Sequence, residues 1–148
     1  MALKIPEEVK FYLSGKPVMG SPEQVVPMFT VDLNGFPHPC LLSRAQLDAT
    51  DTEIRAAITS WGTRANIRNR GVALILVTLG DTVHHLKLGV SHAHDEKGVL
   101  LVAFELVEYK ADTLGIQLQP MTFLAGASIS SLEHWDETEI MLRSLDNR

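Results

Sequence analysis

The stretch SWGTRANIRNRG, residues 60–71, gathers Arg64, Arg68 and Arg70 with Thr63 and Asn66 in a chain whose net charge is −5. A helix beginning at Thr63 would expose unpaired backbone N–H groups at a partly positive end, and a threonine hydroxyl beside those amides can hold a phosphate. Arg64 and Arg68 lie one helical turn apart and could turn to the same anion. A guanidinium matches phosphate oxygens with two parallel hydrogen bonds, which lysine cannot do. The plainer alternative is that Thr63 only caps a helix whose arginines are solvated. By spacing alone that alternative carries more weight, because capping threonines far outnumber phosphate sites.

Other chemistry-bearing residues are fewer. His84, His85, His92 and His94 cluster ahead of Asp95. On a strand, His84 and His85 point to opposite faces, whereas His92 and His94 share one. A metal needs about three converging ligands, and neither H-x-x-x-H nor H-E-x-x-H spacing occurs. Ordinary hydrogen-bonded histidines are therefore expected, with a weak transition-metal site as the alternative. Cys40, between Pro39 and Leu41, reads as an inert buried thiol. Glu105 and Glu108, three apart on a strand, should face opposite ways, which removes them as an acid–base pair. Trp61 and Trp135 read as packing residues, contact with a ring-shaped ligand being their other use. Gly-x-Ser-x-Gly and P-loop signatures are missing, and no general acid or base stands out.

These residues need elements to hold them. Pro6, Glu7 and Glu8 open a short helix that Gly15 stops. Residues 25–32 and 36–43 are strand-like and joined across Asn34-Gly35, a pair suited to a tight hairpin. Pro27, Pro37 and Pro39 push both strands toward edge or irregular positions. From Asp51 to Arg70 the pattern reads as helical: Ile54, Ala57 and Ile58 share a face, Gly62 interrupts, and Thr63 caps a second helix closed by Gly71. Residues 72–79 form an apolar strand, Gly80-Asp81 turns into another over 82–92, and 93–98 reads as a loop. A long strand over 98–110 and a sixth candidate over 116–125, weakened by Pro120, complete the β content. Ser130 stands three residues before Glu133 as a capping box, ahead of Leu132, Trp135, Leu142 and Leu145 near one helical face. Hairpins around one helical insertion, without a βαβ rhythm, predict a mainly β (α+β) fold built on a small antiparallel barrel.

Composition bounds the function classes. The 148 residues suit a single domain, and 45% apolar with 21% charged residues is a globular balance. No segment approaches the apolar run of about 18 residues that a membrane span needs. Glu7 and Glu8 stand where a signal peptide would be apolar, and one cysteine suits a reducing compartment, so a cytoplasmic location is expected. Thirteen Lys and Arg against eighteen Asp and Glu supply no evident basic face for nucleic acid.

Three segments, VDLNGFPHPCLLS, GTRANIRNRGVALILV and TVHHLKLGV, resemble in that order the pyridoxamine 5′-phosphate oxidase-like FMN-binding split-barrel family, over roughly residues 25–125. The resemblance implies a six-stranded antiparallel split β-barrel with a helical insertion after the second strand and flanking short helices. It implies a homodimer with FMN in the groove between subunits. Cys40, Leu41 and Leu42 would then run beside the isoalloxazine ring, Ser43, Arg44, Thr63, Arg64 and Asn66 would hold the phosphate and ribityl chain, and Lys87 would approach the ring. The better-known oxidases place arginine and lysine where this chain has His38, Ser43 and Trp61-Gly62-Thr63; Arg44 and Arg64, each displaced by one position, are the available substitutes. An FMN-dependent oxidoreductase acting on a small molecule is the leading expectation, with a deazaflavin or haem as alternative cofactor. The rival is a flavin-free split-barrel module that binds haem, a metal or a protein partner. Strands apolar on both faces, as in VLLVAFEL, argue separately for a two-fold partner that covers them.

Overall fold

The computed structural model describes residues 3–148. Helix α1 (Glu7–Ser14) precedes β1 (Pro22–Gln24) and a hairpin of β2 (Val26–Val31) and β3 (Pro37–Leu42). A 3-10 turn (Arg44–Gln46) leads to β4 (Leu47–Ala49), β5 (Glu53–Ile58) and α2 (Trp61–Arg70). Then follow β6 (Val72–Leu79), β7 (Thr82–Glu96), β8 (Val99–Thr113), β9 (Thr122–Leu124), α3 (Ala127–Leu132) and α4 (Trp135–Ser144).

Seven strands form one antiparallel sheet in the order β3-β2-β6-β7-β8-β5-β4, one more than the six expected, while β1 and β9 make a separate two-stranded ribbon. The main sheet curls into a half-barrel, because Leu42 of edge strand β3 and Leu47 of the opposite edge strand β4 join the same core as Met28, Ile75, Leu86 and Phe104. Val9 and Leu13 of α1 belong to that core as well. The β2–β3 hairpin forms as its turn chemistry predicts: the Asp32 carboxylate accepts from the amides of Asn34 and Phe36 at 2.9 Å, and Gly35 takes a φ of 86°. Pro37 and Pro39 sit on an edge strand, where a missing donor costs nothing.

Several expectations about the elements change. Residues 53–58 are a strand, not a helix. Ile54, Ala56 and Ile58 face the barrel core, while Ala57 meets Leu142 and Leu145 from the far end of the chain. A strand covered on both faces loses its period-2 alternation and mimics a short buried helix. Residues 93–96 continue β7, which reverses only at Lys97-Gly98, both with positive φ. The stretch 116–125 yields only the three residues of β9. The Ser130 capping box does not form: Ser130 lies inside α3 and Glu133 just past its end. Trp135, Leu142 and Leu145 are nonetheless buried as the helical face required, with Leu132 left exposed.

Two further details matter for the site. In the β7–β8 ladder Lys87 pairs with Glu108 but Leu88 with Leu106, so Val107 is bulged out. Glu105 pairs with Gly89, two residues from Lys87, and the bulge thereby turns Glu105 and Glu108 to the same exposed face, contrary to the regular-strand expectation. The outer face of Leu101 is covered by Leu142 and Leu145 of the same chain, so the VLLVAFEL segment does not itself require a partner.

Candidate functional site

Strand β3 ends at Leu42 and the chain turns sharply at Ser43, whose hydroxyl accepts from the Ala45 amide at 3.1 Å while the Gln46 side chain accepts from the Ser43 amide at 2.9 Å. This reciprocal pair fixes the corner between β3 and β4. Nearby, β5 ends at Ile58, and Thr59 and Ser60 lead into α2. Between these two strand ends lies a cavity of about 410 Å³. Its barrel wall is Cys40, Leu41, Leu42 and Ser43 from the β3 end and Thr59 with Ser60 from the α2 entry, with Val25 and Gln46 beside them. The opposite wall comes from the C-terminal segment: Phe123, Ile129, Glu133 and Trp135.

Helix α2 starts at Trp61, with Arg64 N–H donating to the Ser60 carbonyl at 3.0 Å and no side-chain cap. Gly62 is therefore inside its first turn rather than a break. A Cβ at Gly62 would stand 3.2 Å from the His38 ring, so glycine lets the helix start press against β3. Thr63 is not the cap; it is fully buried. Thr63 Oγ1 and Arg64 Nε are the buried side-chain polar atoms with no hydrogen-bond partner among the described residues, and they belong to consecutive residues in this first turn. The other arginines of the helix are committed: Arg68 to Asp95, Arg70 to the Asp32 carbonyl at 2.8 Å. Arg64 makes no ion pair or side-chain hydrogen bond among the described residues, and its guanidinium is the uncommitted cation of the corner.

The remaining predicted residues divide. Cys40, Leu41, Leu42 and Ser43 line the cavity as a group. Cys40 is half-buried rather than buried, and partial burial pushes its thiol up, partly offset by the neighbouring Thr63 hydroxyl. Arg44 points elsewhere: it pairs in bidentate fashion with Glu23 at 2.9 and 3.0 Å and lies over the Tyr12 ring at 4.5 Å. Asn66 is buried against β2, donating to Thr30 Oγ1 at 3.0 Å. Lys87 lines a second groove with Val72, Leu74 and Val107, and pairs with Glu108 at 2.6 Å. Sequence reasoning missed Thr59, Ser60 and the whole C-terminal wall. Trp135 carried a signal, as an aromatic with a ligand role open to it, but nothing in the order of residues brought 123–135 to β3.

Among the described residues, no group of three or more His, Cys, Asp or Glu side chains is placed to hold a metal ion. His84 is buried, with Nδ1 2.7 Å from the Tyr109 hydroxyl and Nε2 3.5 Å from Glu8. His92 and His94 do share a face, their rings 5.7 Å apart. Among the described residues, no helix is long and apolar enough to cross a membrane.

No protein-family model matches the chain, and no curated protein matches it. Solved structures do share its fold. An FMN-binding protein from Syntrophomonas wolfei is 16% identical, with 73% of this chain and 86% of that one covered at a TM-score of 0.57. The styrene monooxygenase flavin reductase of Pseudomonas putida is 8% identical, with 72% and 90% covered at 0.58. A nitrilotriacetate monooxygenase component B homologue from Mycobacterium thermoresistibile is 13% identical, with 72% and 78% covered at 0.54. At these identities the likeness establishes the split-barrel fold alone.

Proposed function

We propose that the protein is an FMN-dependent oxidoreductase whose ring site is the cavity beside β3 and whose phosphate site is the first turn of α2. The observation that carries this is the pair of consecutive unpartnered buried donors, Thr63 Oγ1 and Arg64 Nε, at a helix start that opens on the cavity through Ser60. An unmet buried donor costs about 1–3 kcal/mol, more when charged, so a ligand that accepts from it is a physical expectation. The donor set suits a phosphate: helix-start amides, one free guanidinium, and the hydroxyls of Thr59 and Ser60 within the cavity wall. The predominantly apolar wall of Cys40 to Leu42 suits a flat ring, and the cavity volume falls in the usual range for small-ligand sites. Fold neighbours that are an FMN-binding protein and a flavin reductase support the reading. When bound, FMN supplies reversible electron transfer at its ring; the chain's own part is to orient that ring along β3 and neutralise the tail through Arg64.

A homodimer belongs to this proposal. Lys87 does not line the cavity of its own chain, so it can border the ring only if the groove of one copy faces the cavity of another.

Titration of the purified protein with FMN, followed by flavin fluorescence, tests the site. Saturable quenching is expected, with Arg64→Ala weakening affinity by about 10- to 100-fold, the equivalent of one lost charge-assisted hydrogen bond. Thr63→Val, which keeps the volume, should weaken it less. Protein that ignores micromolar FMN would overturn the reading.

The flavin-free module remains the second reading because of one specific observation: Arg44, the other substitute cation, is held by Glu23, and no Lys or Arg lines the cavity among the described residues. The visible spectrum of freshly purified protein separates a flavin, a haem and a bare protein.

A further inference from the structure

We infer that the C-terminal wall of the cavity, Glu133 with Phe123 and Trp135, selects a small organic cation: an ammonium group on an apolar or aromatic body. This names the substrate class of the site proposed above and rests on the cavity being that site. Glu133 is the charged residue lining the cavity, and it has no ion-pair partner among the described residues. Trp135 stands nearly buried beside it, edge-on to Phe123 with ring centroids 6.1 Å apart at 76°.

The backbone goes out of its way to make this arrangement. Residues two apart on a continuous helix project about 200° apart and cannot both line one cavity. Here α3 ends, His134 adopts φ 53° and ψ 47°, and α4 begins, so that Glu133 and Trp135 flank a left-handed residue and both reach the cavity. That conformation is uncommon for a residue with a side chain and gathers at ligand sites.

Such a wall discriminates by charge. A cation gains the Glu133 carboxylate and contact with the aromatic side chains that line the same wall. Glu133 is exposed at the cavity edge, so a neutral ligand of the same shape gains nothing from its carboxylate, and an anion is repelled. Glu133 is the single charge in the cavity lining, while Arg64 stands outside that lining, in the α2 turn behind Ser60.

The test uses Trp61→Phe, which removes the exposed tryptophan outside the cavity and leaves Trp135 as the single reporter. The full chain, with and without saturating FMN, is titrated with phenethylamine, phenethyl alcohol and phenylacetate while tryptophan emission is followed. Saturable quenching by the amine is expected, about two- to fivefold tighter than by the alcohol, with no response to phenylacetate. Glu133→Gln in the same background should abolish the amine's advantage while leaving the alcohol unchanged, and added salt should erode it in the parent only. Equal affinity for amine and alcohol, a preference that survives Glu133→Gln, or no saturable response to any probe overturns the inference. A protein that prefers the amine through Glu133 yet ignores FMN sinks the flavin reading alone; one that binds FMN without the preference sinks this one alone.

Discussion

Arg44 and Glu23 are both largely buried and satisfy one another twice over, and Arg44 Nη1 also donates to the Tyr12 carbonyl at 3.3 Å. The pair ties β1 and α1 to the turn after β3, so its worth is structural. Breaking it by Glu23→Ala leaves a buried guanidinium unpaired and is expected to cost about 3–5 kcal/mol in urea unfolding, whereas Glu23→Leu with Arg44→Met should cost much less. That double variant should still quench FMN if Arg64 is the phosphate ligand; losing the quench with the fold intact would return the role to Arg44. His84 gives a pH dependence of known sign. Burial lowers its pKa, while Glu8 on α1 acts in the raising direction, and Tyr109 on β8 supplies its hydrogen bond. With the folded value below the unfolded one near 6.5, the unfolded chain binds more protons in the window between them, so stability falls as pH drops through that window and levels off below it. Thermal unfolding between pH 7.5 and 5 should show this fall, and His84→Asn should flatten it. The individual cations were legible in the sequence as types, but which of them stays free depends on Glu23, Asp95 and the Asp32 carbonyl, partners up to dozens of residues away.

Elements were legible where one rule acts alone. The Asn34-Gly35 turn, the apolar run of β6 and the Gly71 stop of α2, at φ 69°, follow from local backbone preference. A Cβ at Gly71 would meet no atom within 4 Å, so Gly71→Ala isolates conformational strain and should cost about 1 kcal/mol without disturbing neighbours. Strand β5 was illegible because its two faces answer to different partners. One packs into the barrel and the other beneath Leu142 and Leu145, while Arg55 on that second face is held by Glu53 and by Asp146 at 2.5 Å. A sequence window around 53–58 contains none of the residues from 142–146 that decide its exposure. Leu142→Ala should therefore destabilise by about 2–5 kcal/mol, as a fully buried leucine does elsewhere, and it should do so by loosening α4 from β5. The same docking carries Trp135 and Glu133 to the cavity, so amide exchange in 127–145 and the cavity's amine response should fail together in that variant. Exchange that rises while the response persists would mean that the wall is held by Phe123 and the β1–β9 ribbon instead.

At the scale of the molecule, the apolar surface left over decides how copies meet. The chain covers Leu101 with its own C-terminal helix, which removes the long strand as a reason for association. One apolar groove that stays open is lined by Phe29, Val31, Val72, Leu74 and Val107, about 410 Å³ in volume, with Lys87 as its one charged member. Val107 is there because the β8 bulge pushes it outward, where it remains 63% exposed beside Gly89. A bulge that presents an apolar side chain to water has an evident use only when something covers it. A second copy of the chain is the proposed cover, and its Lys87 would reach the ring that its own chain cannot. Light scattering at micromolar concentration should give twice the chain mass, and Val107→Glu, placed where burial would strand a carboxylate against Val72 and Leu74, should give a monomer. The two consequences are linked, because removing the partner also removes Lys87 from the ring. FMN affinity should fall in Val107→Glu even though the variant leaves Thr63, Arg64 and β3 untouched. A monomeric parent that binds FMN as well as Val107→Glu does would place the whole flavin site within one chain and leave Lys87 to its ion pair with Glu108.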